Sequence, residues 1–103
     1  MDTKVHELKT DPYEFNSTAA GIKLSEVRFD DRGYQQGHYL LLRETKYTGI
    51  AMRDDPSQYP LTYTGYHIMA QVTHIHERQG MQDSWKVMSI KVLSKATRRT
   101  HGC

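Results

Sequence analysis

The sequence is short of the features that mark secreted, membrane and metal-bound proteins. Its one cysteine, Cys103, excludes an intrachain disulfide and a cysteine-built zinc site, and fits a reducing compartment. No apolar run approaches the roughly 18 residues of a membrane span, and Met1 to Lys9 carries charges where a signal peptide needs an apolar core. The expectation is a cytoplasmic protein with no membrane association. Charge of one sign is also missing. The net charge of +2 over 103 residues comes from Lys91, Lys95, Arg98 and Arg99, because residues 1–90 carry ten basic against twelve acidic groups. The body is therefore no general magnet for polyanions, and any nucleic-acid affinity has to come from a local cluster or from the basic end.

What is present describes one small globular domain. Hydrophobic residues at 37% and charged residues at 25% exceed what a disordered chain carries but imply a small core. At this length the chain is too short to divide into two units with separate cores. Lys4 to Lys9 reads as a first strand bounded by Thr10-Asp11-Pro12. Asp11 as N-cap, Pro12 in the first turn, Glu14 at capping-box spacing and Gly21 as the stop predict a helix from Pro12 to Ala20, with Tyr13, Phe15 and Ala19 inward. Leu24 to Arg28 reads as a strand, and Asp30-Asp31-Arg32-Gly33 as a turn. His38 to Glu44 follows as a strand apolar enough to lie inside the sheet.

Residues 47–64 carry Gly49, Asp54, Asp55, Pro56, Ser57 and Pro60 and read as an exposed loop. His67 to His76 places Ile68, Ala70 and Val72 on one face with Ile75 out of parity, which predicts a β-bulge near Thr73 or His74. After a turn at Gly80, Trp85 to Leu93 places Met88, Ile90 and Val92 together. The expected fold class is α+β: a small β-barrel of about five short antiparallel strands with one N-terminal helix, closed so that no edge is exposed. The domain spans residues 1–93, and 94–103 form a basic flexible tail.

The chemistry concentrates at Gly21-Ile22-Lys23-Leu24-Ser25-Glu26-Val27-Arg28. Glu26 and Arg28 are two apart on a strand and point the same way, while Lys23 sits where the helix gives out. One carboxylate beside two cations makes a net positive site. Arg28 can present its fork to a phosphate or a base edge, Lys23 a mobile charge, and Glu26 can orient Arg28 or accept from a base amino group. The same spacing equally serves a salt bridge that stabilises the helix–strand junction.

This segment resembles the G-x-K-x-x-E-x-R signature of the ASCH superfamily, matching Gly21, Lys23, Glu26 and Arg28. His6-Glu7-Leu8-Lys9, Asp31-Arg32-Gly33, Gly37 before Tyr39 to Glu44, Tyr63-Thr64-Gly65 and Val72-Thr73 extend the likeness to a group of short ASCH-like proteins of bacteria and their phages, over roughly residues 5–93. The resemblance implies a PUA-like fold with a cleft that binds RNA or single-stranded nucleic acid. The nucleic-acid-binding residues expected from it are Lys23, Glu26, Arg28, Arg32 and Tyr63. Tyr34, Tyr59, Tyr66 and Trp85 are further stacking candidates, with ordinary packing favoured for Trp85.

Some ASCH proteins are amidohydrolases that remove the acetyl group from N4-acetylcytidine with a lysine, a threonine three residues later and a distant glutamate. Lys23 matches the lysine, but Glu26 occupies the threonine position and a carboxylate does not replace a hydroxyl nucleophile. No catalytic residue is therefore expected, and the distant glutamate would have to be Glu77 or Glu44. No cofactor is expected. His74 and His76 share a strand face but lack a third ligand, so no metal site is expected either. An alternative is a phage-type protein that binds and modulates a host protein through residues 47–64 or the basic tail.

Overall fold

Alternation of inward and outward side chains governs every strand of the computed structural model, which describes residues 4–76 and 85–97. Within these residues the chain forms β1 (Val5–Thr10), α1 (Pro12–Ala19), β2 (Ser25–Phe29), β3 (Tyr39–Thr45), α2 (Gly49–Asp54), β4 (Tyr63–His76) and β5 (Trp85–Ala96). The strands make one sheet in the order β1-β3-β4-β5-β2, curled into a half-barrel. Leu8, Leu40, Leu42, Ile68, Ala70, Val72, Met88 and Ile90 fill its concave side, and Phe15 of α1 packs into the same core. Burying each of the larger of these side chains contributes about 1.5–3 kcal/mol.

The helix begins and ends for the reasons the sequence offers, but its cap is put to other use. Pro12 occupies the first turn, and Asp11 has the extended backbone of an N-cap with no side-chain bond to the helix. Its Oδ1 instead accepts the backbone N–H of Gly49 at 2.9 Å, tying the start of α2 to the start of α1. Glu14 likewise leaves the expected capping box and pairs with Lys23. At the other end Ile22 N–H donates to the Ser17 carbonyl and Gly21 N–H to that of Thr18, a Schellman closure that needs the left-handed Gly21 at φ 76°. Phe15 and Ala19 face the core as expected, but Tyr13 is 80% exposed. At about 100° per residue, position 13 lies nearly opposite position 15, so one helix face cannot hold both.

Three further expectations change. Residues 47–64 hold a second helix rather than only a loop: Thr48 Oγ1 caps α2 by accepting Ala51 N–H at 3.1 Å. The strands are not all antiparallel, since β1 and β3 run parallel, with α1 and β2 forming the connection that crosses to the far edge and returns. β5 continues through Ala96 and pairs with His67 to Met69 of β4, so Ser94, Lys95 and Ala96 belong to the sheet rather than to a tail. Lys95 Nζ also donates to the Ala19 carbonyl at 2.7 Å. The expected bulge is present as a register shift between Val72 and His74, and a second lies between Met69 and Ala70. Gly80, Glu77, Arg98 and Arg99 lie outside the described residues.

The half-barrel leaves β1 and β2 as its edges, joined by side chains rather than by a backbone ladder. In a parallel pair alternate residues turn their carbonyls to opposite sides. Lys4 O accepts Tyr39 N–H from β3, so the carbonyls of Glu7 and Lys9 face away from β3. Arg28 Nη1 donates to Lys9 O at 3.2 Å, and Arg32 Nη1 donates to Glu7 O. Arg28 of β2 and Arg32 of the turn after it thus stitch the edge at β1.

Candidate functional site

The end of β1, the start of α1 and the inward face of β2 enclose a pocket of about 460 Å³, lined by Lys9, Thr10, Asp11, Glu14, Lys23, Glu26, Val27 and Arg28. That volume is in the range of ligand sites. Lys23, Glu26 and Arg28, which sequence spacing places together, do converge here. Gly21 lets the chain turn sharply out of α1, so that Lys23 Nζ reaches Glu14 Oε2 at 2.6 Å and Glu26 Oε2 at 3.6 Å. Arg28, two residues along β2, brings Nε to 3.5 Å from the same Glu26 oxygen.

Glu26 is the unusual member. It is 2% exposed, against 26% for the side chains of both cations, and its Oε1 has no hydrogen-bond partner among the described residues. Burying a carboxylate oxygen without a donor costs free energy that a hydrophobic residue at the same inward position would not. A side chain chosen for packing alone would be apolar here, as its β5 partner Met88 is. The two cations keep donors in hand: Lys23 has three N–H groups for two carboxylates, and Arg28 has five for Glu26 and Lys9 O.

The net positive site expected from the motif alone is not what forms. Asp11 and Glu14 join the lining, so three cations face three carboxylates. Such a wall is a mosaic of donors and acceptors rather than an anion trap. A second pocket of about 540 Å³ adjoins it, sharing Lys9, Asp11 and Arg28 and completed by Gly49, Met52, Arg53, Pro56 and Leu61. There three cations face one carboxylate, and that carboxylate already accepts Gly49 N–H. The two pockets form one groove, balanced at one end and basic at the other.

Arg32 and Tyr63 line neither pocket. Arg32 is occupied at Glu7 O and lies 3.7 Å from Asp31, and Tyr63 lies under the Arg43 guanidinium, 3.6 Å from the ring centroid. Tyr34 is core, packed edge-on against His6. Tyr59 packs on Tyr47, Tyr66 against the core, and Trp85 on Phe29. Sequence spacing missed Lys9, Thr10 and the α2 residues of the groove, because their place depends on the parallel return of β3 and on the Asp11–Gly49 contact. The cap residue Thr48 ahead of Ile50-Ala51-Met52-Arg53, with Pro56 beyond, is the signal that announces α2.

A second buried polar contact links His6 and His38, with Nε2 and Nδ1 3.0 Å apart. Gln35 N–H also points at His38 Nδ1 at 3.3 Å, which makes that nitrogen the acceptor and His6 Nε2–H the donor. Burial, then His38, Arg32 and Lys4, hold the His6 imidazole below its ordinary value of 6.5, against a smaller opposing pull from Asp30. Among the described residues no group of three His, Cys, Asp or Glu side chains is arranged to hold a metal ion. His74 and His76 stack edge-on, and His76 Nε2 bonds Ser89 Oγ at 2.9 Å. Among the described residues no helix is long and apolar enough to cross a membrane.

No curated protein matches the sequence. A family model described as a domain of unknown function, DUF3850, matches residues 5–90, so the Lys23, Glu26 and Arg28 pocket and all of the sheet but the end of β5 fall within the matched region and the chain belongs to that family.

Proposed function

We propose that the chain is a PUA-like, ASCH-type module that binds RNA or single-stranded nucleic acid, without catalysis, in the groove between β2, α1 and α2. One observation carries the reading: Lys23 and Arg28 meet at a buried glutamate in an open pocket, where packing alone would favour an apolar side chain. The likeness of Gly21-x-Lys23-x-x-Glu26-x-Arg28 to the ASCH signature supports it, and the basic half of the groove offers Lys9, Arg28 and Arg53 to a phosphate. Arg28→Ala should weaken binding to a single-stranded RNA roughly tenfold and flatten its salt dependence, with the circular-dichroism spectrum retained. Unchanged affinity in that folded variant would refute the proposal.

Amidohydrolysis is the competing reading, and the pocket does bring a hydroxyl to Lys23 and Glu26 in Thr10 of β1. Thr10 is 2% exposed and its Oγ1 donates to the Leu8 carbonyl at 3.4 Å, a contact that does nothing to activate it. Release of acetate from N4-acetylcytidine by the purified protein would reverse this preference.

A further inference from the structure

We infer that the free edge of β2 holds the Watson–Crick edge of an unpaired base through the main chain of Val27, without choosing among the bases. The inference rests on the nucleic-acid reading above and names how a base is held.

β2 is an edge strand: among the described residues it pairs with β5 alone, and β1 pairs with β3 alone. Ile90 N–H donates to Leu24 O at 3.1 Å, and the β2–β5 register, carried back one residue from Ser25 and Ser89, sets these two opposite each other. In an antiparallel ladder, opposed residues alternate between pairs that exchange hydrogen bonds and pairs that do not. Leu24, Glu26 and Arg28 therefore turn their main-chain groups to β5, and Ser25, Val27 and Phe29 turn theirs away from it. Phe29 agrees, since its carbonyl accepts Asp31 N–H at 3.1 Å, outside the ladder.

Of those three, Val27 lines the pocket. Its side chain lies on the opposite face from buried Glu26 and is half exposed, so what it offers the pocket is its main-chain N–H and C=O. These sit side by side and point the same way, a donor next to an acceptor. Every base carries the complement on its Watson–Crick edge: N1 and N6–H in adenine, N3 and N4–H in cytosine, O6 and N1–H in guanine, O4 and N3–H in uracil. One main-chain pair thus separates unpaired from paired bases but not one base from another. A peptide matches such an edge only over alternate residues, and here Phe29 O is taken and Ser25 lies outside the pocket lining. A base needs Val27 alone. Arg28, which lines both pockets, and Arg53 beyond it offer cations to the adjoining phosphate.

The test is equilibrium binding of the full chain to single-stranded oligo(U), oligo(C), oligo(3-methyluridine) and oligo(5-methyluridine) of equal length. Oligo(U), oligo(C) and oligo(5-methyluridine) should bind within about threefold of one another. The 3-methyl group removes the only donor on that edge of uracil, leaves Val27 O unpaired and should weaken binding roughly tenfold. Val27→Pro removes the N–H, which an edge strand tolerates where that group lies outside the ladder, and should cost a similar factor with the circular-dichroism spectrum retained. Val27→Ala keeps the main chain and should bind as the wild type does. Equal binding of the 3- and 5-methyluridine strands by the wild-type protein would overturn the main-chain reading and leave the binding function standing, whether or not the proline variant folds. Displacement of oligo(U) by a capped, uncharged alanine peptide would give the edge to a peptide and overturn it likewise. Binding to none of the strands would remove both readings.

Discussion

His6 and Glu26 are both polar, both face inward and both expose less than a tenth of their surface, but the fold treats them oppositely. His6 is surrounded by partners that complete it: His38 accepts its N–H, and Tyr34 packs on its ring. Glu26 is half completed. One oxygen is shared by two cations, and the other is buried without a donor among the described residues. The difference separates polar burial that is completed within the core from polar burial that is left half paired.

Substitutions at the two places should therefore differ in what they damage. The largest effect is expected from His6→Ala, which opens a cavity and removes one of the two donors to His38 Nδ1. Gln35 N–H stays on that nitrogen, so the cavity carries the effect, which should lower unfolding stability by about 2–3 kcal/mol in urea titrations. Acid should attack the same cluster more gently. Because folding holds the His6 imidazole below 6.5, the unfolded chain binds more protons between those two values. This contribution to stability is complete above pH 6.5 and declines as pH falls below it. The unfolding free energy from urea titrations should be lower at pH 5.5 than at pH 7.5, and His6→Phe should reduce the difference. The smallest effect is expected from Glu26→Gln. It removes a buried charge whose cations keep Glu14 and Lys9 O, so stability should move by less than about 1 kcal/mol in either direction. A loss there as large as that of His6→Ala would mean that Glu26 is a structural residue after all.

The same contrast marks how much of the molecule is legible in its sequence. Strand parity identifies Ile68, Ala70, Val72, Met88 and Ile90 as core, and the out-of-step Ile75 locates a bulge, because side-chain direction is a local property. Lys23, Glu26 and Arg28 are legible for the same reason, lying within six residues on one turn and one strand. His6 and His38 are 32 residues apart and meet only because β1 and β3 run parallel, an arrangement no local pattern encodes. The pocket's charge was misjudged on the same ground, since Asp11 arrives through its bond to α2 and Glu14 through its ion pair with Lys23. Tyr63 shows the converse: its matching triplet places it at the start of β4, where it stacks under Arg43 instead of facing the groove.

The stitch across the open side of the half-barrel has a consequence for how copies of this chain behave together. An edge strand with free carbonyls is a template on which another molecule can add a strand and polymerise. Here Arg28 and Arg32 occupy the carbonyls of Lys9 and Glu7, so a neighbouring chain meets guanidinium groups where it would need acceptors. Arg28 guards that edge with the same guanidinium that lines both pockets, so protection of the edge and the proposed recognition would share a side chain.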